Sequence, residues 1–128
     1  MSSAQIAAVL TWVYAAGFGV PAVPVAVHLL RHGSLPTFFG LFPMYGGPWF
    51  ARVDHRTFVL LLVAFLVVTM AAAWGGWLVW EGSRAGGVLS LALLPVEAVF
   101  WIGFALPIPW VIGLGRAVLL ALAWRSLD

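Results

Sequence analysis

Residues 90–124 read SLALLPVEAVFWIGFALPIPWVIGLGRAVLLALAW, two apolar runs of helix length broken by Pro107, Ile108 and Pro109. Prolines this close together end one helix and can open the next, so the stretch reads as a helical hairpin. Each arm carries one charge, Glu97 on the first and Arg116 on the second. At about 1.5 Å of rise per residue, Glu97 lies roughly 16 Å from Ile108 and Arg116 roughly 12 Å. The two charges therefore stand at similar depth on neighbouring antiparallel helices. An isolated charge at the centre of a bilayer costs about 3 kcal/mol or more, and a Glu and an Arg at matched depth satisfy one another. The expectation is a buried ion pair between them.

The rest of the chain agrees with a membrane setting. Its 128 residues are 64% hydrophobic and 8% charged, whereas soluble domains carry about a quarter of their residues as Asp, Glu, Lys or Arg. Mean hydropathy is +1.10. Four apolar windows, at about 5–30, 57–80, 87–106 and 108–124, leave no room for a separate water-soluble domain. The expected fold is an all-α integral membrane protein: four transmembrane helices in one compact bundle, residues 1–128, with a long aromatic interfacial loop at 31–56. The absence of cysteine excludes disulfides, thiolate metal sites and thiol catalysis. Six basic residues, all Arg, against four acids are too few and too scattered to form a nucleic-acid footprint. Abundant Arg, Ala, Gly and Trp without Lys point to a high-GC bacterial genome and the inner membrane.

The opening segment has no basic flank or small-residue cleavage pattern and is read as the first span. Gly17, Gly19, Pro21 and Pro24 predict a bend there, tolerated if neighbours cover the freed carbonyls. Thr11, Tyr14, Phe18, Pro21, Val25, His28 and His32 recur at helical spacing and should face the bundle, with Thr11 and Tyr14 bonded to neighbouring helices. The loop is rich in Gly and Pro, and its Phe38, Phe39, Phe42, Tyr45, Trp49 and Phe50 suit headgroup depth; an interfacial lid is preferred to a re-entrant dip. In the second span Ala71, Ala72, Ala73, Gly75 and Gly76 invite close helix approach. Pro95 weakens the third helix just before Glu97, and Gly113 leaves room beside Arg116. Arg31, Arg52 and Arg56 on the first loop, against Arg84 and Arg125 opposite, orient that loop to the cytoplasm with both termini outside.

His28, His32, Asp54 and His55 gather where the first span ends and the second begins, and they are the residues with metal-ligand chemistry. HLLRH has the outline of one histidine box of the membrane desaturases, but those di-iron enzymes need several boxes and the chain has three histidines. No cofactor is expected. A haem or another metal on these histidines is the less favoured alternative. Sequence signatures of zinc proteases, nucleotide-binding loops, serine hydrolases and haem attachment are missing. The chain is similar in size to small multidrug exporters, but its first helix has no acid, so no family is assigned.

Three function classes follow. The first is binding or transport of a hydrophobic or amphipathic small molecule, such as a lipid, quinone or steroid-like compound, in an intramembrane pocket. Glu97 and Arg116 would orient its polar head, with Tyr14, Trp101, Phe104 and Trp49 against its apolar body. The second is a structural or accessory subunit of a larger membrane complex, or a homo-oligomer, packed through Gly and Ala faces. The third is an enzyme or electron carrier using the histidines.

Overall fold

The structure is a computed structural model that describes residues 2–38 and 40–128, without the side chains of Phe38 and Phe42. Of the aromatic residues expected at headgroup depth, Phe39 and those two side chains lie outside the described residues. Helix α1 (Ser3–Tyr14) starts at a capping box in which Ser2 Oγ accepts from the Gln5 amide and Gln5 Oε1 from the Ser2 amide. It runs through a π-helical turn, Ala15–Gly19, into α2 (Ala22–His32). The chain then forms a minimal antiparallel pairing of β1 (Thr37–Phe38) with β2 (Phe42–Pro43) and a short helix α3 (Pro48–Arg52). Three long helices complete it: α4 (His55–Trp80), α5 (Arg84–Gly103) and α6 (Ile108–Ala123), the last extended by a 3₁₀ turn at Trp124–Ser126. Apart from the four-residue pairing the fold is helical. Four helical stretches, Ser3–His32, His55–Trp80, Arg84–Gly103 and Ile108–Ser126, are long and apolar enough to cross a membrane.

The expected bend falls at the π-helical turn, where the Val20 amide bonds to the Ala15 carbonyl, five residues back. Pro21 and Pro24 cannot donate, so the ladder cannot run straight through. The loop supplies a partner: the Tyr45 hydroxyl donates to the Phe18 carbonyl oxygen. Tyr45 adopts a positive φ of 59° and is buried against Phe65 and Phe104. Phe65 lies ten residues beyond the first residue of α4, so this part of the loop folds back between the helices.

α4 is central, packing on α1, α2 and α5, while α6 packs chiefly on α1 and makes few contacts with α5. The small-residue stretch of α4 is used inside the chain: Gly75 faces Ser90, Gly76 faces Thr11 and Trp12, and Trp12 Nε1 donates to the Ala73 carbonyl at 3.1 Å. That face was one motive for an external partner, and α1 and α5 occupy it.

α5 ends at Gly103, three residues short of the window read from hydropathy. The cause is a Schellman stop. The Leu106 amide bonds to the Trp101 carbonyl and the Ala105 amide to that of Ile102, with Ala105 in the left-handed region at φ 54°. At the opposite face the end of the chain folds onto the α4–α5 turn. Asp128 exchanges backbone hydrogen bonds with Gly82 and Arg84, and the Arg84 guanidinium covers the Trp124 ring.

Candidate functional site

Glu97 is placed by the last two turns of α5 and Arg116 by the middle of α6. Arg116 Nη1 donates to Glu97 Oε1 at 3.1 Å, and the side chains are 1% and 0% exposed. The pair thus bridges two helices whose backbones scarcely touch. Two aromatic residues flank the bridge. The Arg116 guanidinium carbon sits 5.4 Å from the Tyr14 ring centroid, within cation–π range. Trp101 Nε1 donates to the Tyr14 hydroxyl at 3.0 Å, with the two rings edge to face. Glu97, Arg116, Tyr14 and Trp101 therefore form one buried cluster drawn from α1, α5 and α6.

The cluster is incompletely satisfied. Glu97 Oε2, Arg116 Nε and Arg116 Nη2 are buried without hydrogen-bond partners, as is Ser90 Oγ two turns earlier on α5. Buried polar atoms ordinarily find partners, and each that does not costs about 1–3 kcal/mol.

Gly113 opens space, but for a different neighbour than expected. A Cβ on Gly113 would lie 2.7 Å from the Trp101 ring, so this glycine seats the indole rather than the guanidinium. Thr11 and Tyr14 also divide. Tyr14 bonds across to α5, whereas the Thr11 hydroxyl donates at 2.9 Å to the Ala7 carbonyl of its own helix. A threonine on a helix can always reach the carbonyl one turn back.

Phe104 and Trp49 belong to a second cluster. Trp49 rests on the face of α5 left bare by Gly103, with ring centroids 5.5 Å from Phe100 and 5.3 Å from Phe104. Phe104 also touches Tyr45, Phe58 and Phe65. This aromatic layer joins the loop to the bundle. Burial pushes the Tyr45 phenol pKa upward, so it remains a hydrogen-bond donor throughout the physiological range.

Two grooves open beside these clusters at the α5–α6 turn. One, of about 380 Å³, is lined by Trp101, Ile102, Ala105, Leu106, Pro107 and Trp110. The other, of about 390 Å³, lies between the loop and the turn and includes Phe18, Tyr45 and Phe104. Trp101 belongs both to the first groove and to the ion-pair cluster.

The histidines have other tasks. His28 and His32 rings stand 4.5 Å apart, and His28 Nδ1 lies 2.9 Å from the Ser34 carbonyl oxygen. His55 stacks on Phe50. Asp54 caps α4, its Oδ1 accepting from the Thr57 amide at 3.0 Å, and hydrogen bonding from the Thr57 side chain and then its amide holds the carboxyl below its usual value. Among the described residues no three His, Asp or Glu side chains come together as metal ligands.

The features missing from the sequence reading are the Tyr14–Trp101 bond and the Tyr45 bond to Phe18 in the π-helical turn. Both join residues far apart in the chain, and only the shared helical side of Thr11, Tyr14 and Phe18 gave a signal for either. No family model, curated protein or solved structure matches the chain.

Proposed function

We propose that the chain binds, and in a membrane carries, a hydrophobic or amphipathic small molecule of lipid, quinone or steroid-like build. Its polar head rests on Glu97 and Arg116 and its apolar body lies along the grooves beside Trp101 and Phe104. The half-satisfied ion pair carries this reading. A pair kept only to fix helix register gains most when every polar atom is satisfied, since a partly satisfied network is worse than an apolar core. Here three polar atoms of the pair are buried without a partner. Trp101 is the movable wall: release of its bond to Tyr14 would connect the first groove to the pair.

In this reading the protein lies in a bacterial inner membrane. The loop with Arg31, Arg52 and Arg56 is at the cytoplasmic face, with Trp49 and Phe50 at headgroup depth, and both termini are outside. Extraction in mild detergent followed by native mass spectrometry tests the function. A retained small-molecule adduct that is lost in Trp101→Ala supports it. A bare chain, or one that arrives only with a partner polypeptide, favours an accessory subunit instead.

A further inference from the structure

The open atoms of the pair define a head-group chemistry as well as a position. With Arg116 Nη1 occupied by Glu97 Oε1, the unpaired donors are Nε and Nη2, and the unpaired acceptor is Glu97 Oε2. Nε–H and Nη2–H share one edge of the planar guanidinium and grip oxygen acceptors side by side. An ionised carboxylate oxygen only accepts, so Oε2 calls for an O–H or N–H donor. The complement is a head that offers acceptor oxygens and a donor together.

Net charge narrows the class. Glu97 and Arg116 cancel, and the other polar side chains buried among the described residues, Thr11, Thr69 and Ser90, are neutral. An anion on the free Arg116 edge would introduce an uncompensated charge into apolar surroundings and lie close to Glu97 Oε2. An uncharged head satisfies the same atoms without that penalty.

Resting on the binding reading above, we infer that the site selects uncharged single-chain amphiphiles whose heads combine a carbonyl with a hydroxyl, of the monoacylglycerol type. Carboxylate and phosphate amphiphiles of equal chain length are discriminated against. The carbonyl and hydroxyl oxygens accept from Nε and Nη2, and a hydroxyl donates to Oε2. The acyl chain runs into the groove bordered by Leu106, Pro107 and Trp110.

The test titrates the full chain in non-ionic detergent with monooleoylglycerol, oleate and oleoyl-lysophosphatidate, at a pH where oleate is ionised, with native mass spectrometry as the readout. Wild type should bind monooleoylglycerol at least about tenfold more tightly than either anion, given the penalty for an unpaired charge. Glu97→Gln removes the negative charge and replaces an acceptor by a donor, so the order should invert toward oleate. Wild type that takes the anions equally or better overturns the inference and leaves the binding reading standing. An unchanged order in a folded Glu97→Gln protein also overturns it, because the pair would then not set the preference. If none of the three amphiphiles binds saturably, the binding reading itself falls. Should the variant fail to fold, the wild-type ranking alone decides the inference.

Discussion

Tyr45 gives its hydroxyl hydrogen to the carbonyl oxygen of Phe18, 27 residues earlier, and so ties the loop to the bend of the first helix. That carbonyl lies in the π-helical turn, and a loop side chain supplies it with a donor. Tyr45→Phe keeps the ring among Phe65 and Phe104 but deletes the donor. Thermal unfolding in detergent should show a loss of about 1–3 kcal/mol, the penalty for an orphaned buried carbonyl. An unchanged midpoint would mean the carbonyl finds another partner.

The Glu97–Arg116 bridge lends itself to a double-mutant cycle. Arg116→Leu should destabilise by about 3–5 kcal/mol because it leaves a buried carboxylate alone. Glu97→Gln should be milder, and Glu97→Leu combined with Arg116→Leu should recover most of the loss. Zero coupling between the two sites would show that each charge is compensated separately.

Gly113 can be tested through the indole it seats. Gly113→Ala puts a methyl 2.7 Å from the Trp101 ring, and overpacking of this kind costs about 1–3 kcal/mol. Introducing Trp101→Phe as well should relieve part of that loss, since the smaller ring vacates the contact. Losses that simply add would place the strain elsewhere.

Ala105 occupies a backbone conformation that glycine adopts freely. Ala105→Gly should raise stability by about 1 kcal/mol and sharpen the end of α5. A lowered unfolding temperature would argue that the side chain is needed where it borders the two grooves.

Asp54 gives a pH signature. Its folded pKa is depressed by hydrogen bonding from Thr57, so its contribution is present above the unfolded value and lost as pH falls through the folded one. Wild type should therefore lose stability from about pH 4 downward, relative to Asp54→Asn, which caps without titrating. Melting curves at several acidic pH values read the difference, and parallel curves would remove Asp54 from the account.

The four helices and the pairing of Glu97 with Arg116 were legible in the sequence for simple reasons. Hydropathy and length set the spans, and counting residues outward from Pro107 and Ile108 brought Glu97 and Arg116 level. Helix neighbours were harder. A helix apolar all round has no polar face to mark its outside, so nothing in α6 announced that it would lie on α1 more than on α5. The end of α5 was missed because glycine usually marks such stops and Ala105 takes its place. Trp101 and Tyr14 were singled out as ligand contacts, but an indole N–H donates to any oxygen within reach, and the fold alone pairs these two.

The separation of 19 positions from Glu97 to Arg116 also sets an order of events in biosynthesis. At about 5–20 residues per second, the ribosome delivers Arg116 roughly 1–4 s after Glu97. During that interval α5 holds a carboxyl whose guanidinium has not yet been made. When α6 does arrive, its chief neighbour is α1, the first helix synthesised. A chain stalled between the two residues therefore exposes to quality control a carboxyl whose guanidinium partner is still missing.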